Sequence, residues 1–396
     1  MRRTPPPPYT TSTLQQDAAR RMGLTGRRTM QLAKKLYEEG YITYHRTDSV
    51  AISEGARKQM QDYVKKEFGE KYLSPKPRFY KVASKNAQEA HEAIRPAKIS
   101  IQPSAISNQL GPQFGKLYEM IWRRALATVM ADAVIESTSV IVDSHDVILK
   151  SVQDPKKDEM LKQVQHDKER NKSDYRLKTN GSVLLFEGVL KINPAALEDK
   201  RLPEFTSGEN LDYVSSILEA HETLPPPRYN DASIIKTLEE KGIGRPSTYA
   251  TIISTIESRG YIEREEGRFH STAVGFAVND FLVDNFKDID DIPFTATMED
   301  ELDEIASGAK KWIPVMKEFY DPFEKDLEKV KTSARVKIAV EETNEKCPKS
   351  GHPLIIRSGR FGKFMACSGF PECKFTAPLI QSTDLKCPKD EGQIVI

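Results

Sequence analysis

The first 346 residues of this 396-residue chain contain no cysteine; all four (Cys347, Cys367, Cys373 and Cys387) lie in the last fifty. That distribution argues against a disulfide framework and for a small metal-type module at one end of an intracellular chain. No stretch approaches the roughly 18 consecutive apolar residues of a membrane span, and the N-terminus lacks a secretory apolar core. The expectation is therefore a cytoplasmic protein with no membrane partner. Net charge is also lacking: 59 Lys and Arg stand against 58 Asp and Glu. The balance hides segregation. Residues 1–36 carry eight basic side chains and one acid, while residues 284–304 carry nine acids and one lysine. A basic opening is a candidate phosphate-binding surface, or simply a solvated helical face.

The length suggests roughly two to four domains. Residues 1–9 form a basic, proline-rich lead-in with no expected structure. Ser12 and Gln15 have capping-box spacing and predict a helix that stops near Gly23. A second helix should end at Glu39 and Gly40, and others should cover 51–70 and 112–131. Residues 134–143, 182–186 and 188–192 read as strands, interrupted by a polar insertion near 150–173. Over 230–285 the pattern is helix, turn, helix, short hairpin, helix, with Ser247 expected to cap the second helix and Leu282 to face inward. That is a winged-helix order, which serves DNA binding in some proteins and protein contacts in others. A charged linker follows over 330–345, then the cysteine-bearing module.

Two segments could carry chemistry. In Tyr41-Ile-Thr-Tyr-His-Arg-Thr-Asp-Ser49, an extended backbone puts Tyr44, Arg46 and Asp48 on one side. A guanidinium beside a tyrosine can stabilise its phenolate and neutralise a phosphate under attack. The alternative is a packed strand tyrosine beside a surface ion pair. In Ala87-Gln-Glu-Ala-His-Glu-Ala-Ile-Arg-Pro96, a helix would put His91 and Arg95 on one face. The alternative is a solvated helix end.

Taken together, Pro8-Tyr-Thr-Thr-Ser-Thr-Leu-Gln-Gln16, both segments above, Leu117-Tyr-Glu-Met-Ile-Trp-Arg123, Pro226-Pro-Arg-Tyr229, Leu238-Glu-Glu-Lys-Gly-Ile-Gly-Arg-Pro-Ser-Thr-Tyr249, Phe294-Thr-Ala-Thr-Met-Glu-Asp-Glu-Leu302 and Gly359-Arg-Phe-Gly-Lys-Phe364 resemble the core of bacterial type IA DNA topoisomerase I. They occur in the family's order and span nearly all of the chain outside 150–173. The resemblance implies a multidomain α+β fold: a helical, tyrosine-bearing domain over 10–133, part of a β-rich arch over 134–215, a winged-helix-like DNA-binding domain over 216–330, and a degenerate zinc ribbon over 340–396. It implies ATP-independent relaxation of negatively supercoiled DNA through a transient 5′-phosphotyrosine. By position, Tyr44 matches the nucleophile, Arg46 the arginine on the scissile phosphate, and His91 a backbone-contacting histidine. Asp48, Arg95, Arg228, Arg245, Ser247 and Thr248 match the DNA-binding set.

Departures from the family set further expectations. The family's Toprim domain, with its essential glutamate and Mg²⁺-binding aspartates, has no counterpart in this sequence. The chain is therefore expected to be a fragment, inactive alone, that partners single-stranded DNA and a Toprim-containing N-terminal fragment. A non-catalytic DNA-binding remnant is the alternative; another type IA member, such as topoisomerase III or reverse gyrase, is a further one. Cys347, Cys367 and Cys373 keep the family's ribbon spacing, but Ser350 stands at the second ligand position. Zinc binding is therefore left open, with His352 as a substitute ligand. Phe361, Phe364, Phe370 and Phe375 among basic residues suit either base stacking or a small β-core.

Overall fold

The computed structural model describes residues 1–80, 92–144, 175–194, 200–331 except 213, 216 and 218, 341–359, 362–379, 382–386 and 393–395. The polar insertion at 150–173, His91, and Cys387 lie outside the described residues.

A helical body comes first. Helix α1 (Thr11–Met22) is capped by Thr10, not Ser12: the Thr10 hydroxyl accepts from the Thr13 N–H, and the Thr13 hydroxyl accepts from the Thr10 N–H. Four consecutive hydroxyl residues offered overlapping caps, and the earliest one closes the box. The Ser12 hydroxyl is directed elsewhere, donating to Glu239 at 2.6 Å. Gly23, in the left-handed region, ends the helix. Helices α2 (Gly26–Glu38), α3 (Glu54–Phe68), α4 (Pro103–Leu110) and α5 (Pro112–Ala127) complete the body. Leu14, Leu32, Leu36, Val64, Leu117, Ile121 and Leu126 are fully buried in one continuous core. Phe114 is only half-buried against it.

The lead-in is not structureless. Arg2–Arg3 form strand β1, which pairs antiparallel with β2 (Ala133–Ser144); β2 in turn pairs with β3 (Tyr175–Phe186). The two long strands pair antiparallel from Val134 with Phe186 out to Ser144 with Tyr175. Residues 188–192, expected as a strand, instead form a 3₁₀ turn, Gly188–Lys191. Gly188 has φ +46°, and a Cβ there would meet the Asp132 carbonyl oxygen at 2.3 Å. The turn sends Val189 and Ile192 into the helical core, with the Val189 N–H on the Ala131 carbonyl at 2.9 Å. The base of the hairpin is thus part of the helical body.

The second body has the expected winged-helix order. It comprises α6 (Asp231–Glu240), α7 (Tyr249–Ser258), the hairpin β4 (Ile262–Glu265) and β5 (Arg268–Ser271), and α8 (Ala273–Asn285). Ile235, Tyr249, Ile253 and Phe269 form its small core. Leu282 faces solvent rather than inward. The acidic stretch becomes α9 (Ile292–Ala306) and α10 (Trp312–Lys331).

The last body is a four-stranded antiparallel sheet of β6 (Glu341–Lys346), β7 (Pro353–Gly359), β8 (Gly362–Cys367) and β9 (Thr376–Pro378). Its first strand starts inside the segment expected as linker.

Candidate functional site

The loop 41–49 is held as an extended segment without becoming a strand; its only ladder contact among the described residues is a bridge from Ile42 to Pro96. Thr11, at the start of α1, fixes one end. Its N–H donates to the Thr47 carbonyl at 2.8 Å, its hydroxyl donates to the His45 carbonyl at 2.9 Å, and the Thr47 N–H donates back to that hydroxyl at 2.8 Å. Thr43 fixes the other end through the Ala93 carbonyl and the Arg95 backbone. The alternation expected from the sequence follows. His45, Thr47 and Ser49 are buried, Tyr44 and Arg46 are exposed, and Asp48 is half-buried.

Tyr44 is 43% exposed. Its ring meets Tyr37 of α2 edge-on, with centroids 5.3 Å apart, and His45 at 5.2 Å. Arg46 makes no ion pair among the described residues and lines a cleft of about 390 Å³ between α2 and α7. Arg27 and Lys34 of α2 stand on one wall, and Ser247 and Thr251 on the other. These two basic residues were not singled out from the sequence, although the positive opening segment contains them. The walls touch closely. A Cβ on Gly26 would lie 3.4 Å from Ile235 and 3.6 Å from Ala250, and the Ser12 to Glu239 hydrogen bond spans the same seam.

His45 forms the floor beside Arg46. Burial, then the adjacent Arg46 charge, lowers its pKa to about 4, so the imidazole is neutral at physiological pH. Its Nδ1 is buried with no hydrogen-bond partner.

The other expected site residues have surroundings of their own. Asp48 makes no ion pair with Arg46 among the described residues. Arg95 is not on a helix, and its expected helical partner His91 lies outside the described residues. Its guanidinium pairs with Glu92. Burial raises the pKa of Glu92, but the Ser53 N–H at 2.7 Å and Arg95 outweigh it and keep the carboxylate below its ordinary range. Arg245 turns away from the cleft onto α9. Its Nε and Nη2 donate to Asp303 at 3.0 and 2.9 Å, and Nη2 to Asp300 at 3.2 Å. Burial alone would lower its pKa, and these acids raise it instead. Ser247 is exposed and caps nothing. Thr248 holds the cap position, with its hydroxyl accepting from the Arg245 N–H at 2.8 Å. Arg228 is exposed, and its carbonyl accepts from Arg268.

In the C-terminal body, the Sγ atoms of Cys347, Cys367 and Cys373 lie within 4.8 Å of one another. Cys347 and Cys373 are 3.7 Å apart, and the Ser350 hydroxyl is 3.1 Å from Cys367 Sγ. A tetrahedral ion with bonds of about 2.3 Å to sulfur has an edge of about 3.8 Å. The three thiols therefore suit zinc, and the Ser350 hydroxyl lies against one of them, Cys367. His352 packs against Gly369 and takes no part in the cluster. Burial pushes the Cys347 thiol up, but hydrogen bonds from Ser350, the Lys349 and Ser350 N–H groups and Cys373 bring it down to about 6. The aromatics divide between the two readings. Phe375 packs into the small core, while Phe370 is exposed with the Arg357 guanidinium 5.7 Å from its ring centroid.

A sequence model described as DNA topoisomerase matches residues 1–317, and one described as a topoisomerase DNA binding C4 zinc finger matches residues 344–382. DNA topoisomerase 1 of Campylobacter jejuni is 38% identical over 383 residues, covering 95% of this chain and 51% of that protein. DNA topoisomerase 1 of Rickettsia bellii is 36% identical over 412 residues, covering 97% and 48%. The structure of full-length topoisomerase I from Thermotoga maritima superposes with a TM-score of 0.70 at 31% identity, covering 96% of this chain and 58% of that one. The chain spans about half the length of the curated relatives it matches.

Proposed function

Because the chain belongs to the DNA topoisomerase family, and its last body to the family's zinc ribbons, we propose that it carries the strand-cleaving part of a type IA topoisomerase. The supporting observation is that Tyr44 and Arg46 stand exposed on the same side of a loop held at both ends, beside a basic cleft. In this reading Tyr44 attacks a phosphodiester of single-stranded DNA, and Arg46 neutralises charge on the phosphate oxygens. His91 contacts the backbone nearby. The products are a 5′-phosphotyrosine and a free 3′-hydroxyl. The covalent link keeps the energy of the broken ester, so the 3′-hydroxyl reseals the strand without ATP. Arg27, Lys34 and Ser247 bind backbone phosphates, with strong salt dependence. Arg228 is a further backbone contact.

Among the described residues, the cysteines are the one group of three or more metal-ligating side chains that converges. The Mg²⁺ of this reading, and the proton for the leaving hydroxyl, are assigned to a separate Toprim segment. Zinc, when bound, would tie Cys347, Cys367 and Cys373 together and hold the ribbon's loops in place. In this reading the protein works on the nucleoid in the cytoplasm. No helix among the described residues is long and apolar enough to cross a membrane.

The test is cleavage of a single-stranded oligonucleotide labelled at either end, with Mg²⁺, by the chain alone and with a Toprim-containing fragment of a relative. The expected result is a covalent adduct carrying the 3′-labelled strand, dependent on the added fragment and lost by at least about 10⁴-fold in Tyr44→Phe. DNA binding with no adduct, even after complementation, would leave a non-catalytic DNA-binding protein.

A further inference from the structure

The C-terminal cluster has a feature that a four-thiolate ribbon lacks. Three sulfurs converge, but where the family's ribbon spacing puts the remaining ligand stands Ser350, whose neutral hydroxyl lies 3.1 Å from Cys367 Sγ. The sulfurs are not equivalent. Cys367 receives the Gly369 N–H at 3.4 Å and the Ser350 contact, and it is 1% exposed. Cys347 is 2% exposed, whereas Cys373 is half-buried and open to a small oxidant. Cys347 and Cys373 face each other at 3.7 Å, and a disulfide needs about 2.05 Å, a closure within reach of small loop shifts.

We propose that Cys347 and Cys373 form a reversible disulfide under peroxide, with Ser350 leaving the pair open to it. The Cys373 sulfur attacks the peroxide; its O–O bond breaks, giving a sulfenic acid and water. The Cys347 sulfur then attacks the sulfenic sulfur and displaces its oxygen as a second water. The two sulfurs lose two electrons and the peroxide gains them. Any zinc held there loses two of its three thiolates and leaves. A fourth thiolate in place of Ser350 would hold the ion more tightly and keep both sulfurs engaged.

The metal part rests on the zinc-ribbon reading; the link itself rests on the sulfur geometry. The experiment takes the full chain, measures its zinc content, and then adds hydrogen peroxide. Zinc release is followed with a chromogenic chelator, and thiols are mapped by alkylation and peptide mass. The expected result is one major cross-linked peptide pair, Cys347 with Cys373, formed as zinc is released and reversed by a dithiol reductant. In Ser350→Cys both events slow by at least about tenfold. A major link through Cys367 or Cys387, or an equal rate in Ser350→Cys, overturns the proposal. Unmodified chain that contains no zinc before oxidation, yet forms the link, rejects the metal reading and retains the disulfide. Mapping in the unmodified chain needs no cysteine variant, so a misfolded Cys373→Ser would not obscure the outcome.

Discussion

The loop 41–49 and the turn 242–248 both reach the cleft, and each carries one arginine, with opposite fates. Arg46 is exposed and without an ion pair among the described residues, on a backbone fixed by Thr11 and Thr43. Arg245, in the turn that the family resemblance marks for DNA, is held by Asp300 and Asp303 of α9, with Glu299 close by. A cation already neutralised by carboxylates offers little to a phosphate. In this structure the Arg245 guanidinium is taken up by these ion pairs, while Ser247 of the same turn lines the cleft. The acids folded against one arginine, and not the other, set the contrast.

The sharpest way to break this contrast is to truncate each arginine. Arg46→Ala should lower adduct formation in the complemented assay by about 10²- to 10³-fold, as expected for loss of a charge on the reacting phosphate. Single-strand affinity should fall far less. Measuring both separates the two effects. Arg245→Ala should instead lower the stability of the winged-helix body by about 1–3 kcal/mol, allowing for its partial exposure. Thermal unfolding reads this directly. If Arg245→Ala weakened DNA binding while leaving the melting temperature unchanged, the contrast would fail.

His45 sharpens the comparison in another way, because the exposed Arg46 helps keep its buried neighbour neutral. Its pKa in the folded chain, about 4, lies below the unfolded value of about 6.5. The unfolded chain therefore binds the extra proton first as pH falls. This contribution to stability is complete above about pH 6.5 and is lost progressively down to about pH 4. It amounts to about 1–3 kcal/mol. Stability measured against pH should be flatter over that window in His45→Phe. The smallest effect belongs to the seam itself. Ser12→Ala leaves Glu239 without its shortest partner and should cost about 1 kcal/mol, read as a small drop in melting temperature.

The sequence made the outward face of the tyrosine loop legible, because burial at period two depends only on local backbone. The order of elements over 230–285 was legible for a similar reason: caps and glycines sit close to what they terminate. The partner of Arg245 was not, since Asp303 is 58 residues away. The 3₁₀ turn at 188–191 was hidden for the same reason. Its apolar residues look like a strand, and only the approach of Gly188 to Asp132 shows why the chain must turn there. The thiol cluster was legible from spacing, whereas the exclusion of His352 depended on the path of the loop.

That turn at Gly188 also determines how the long hairpin behaves as a mechanical part. Its two strands, each 12 residues, extend roughly 40 Å. They are anchored at the root, where Val189 enters the helical core and Asp132 pairs with Arg78, and again along β3, where Ser182 and Lys200 exchange backbone hydrogen bonds. A beam fixed in this way concentrates bending moment at its root. A load applied far along β2 and β3 is therefore delivered as torque to Ala131 and Asp132, just beyond the end of α5, and the helical core that backs the tyrosine loop has to resist it.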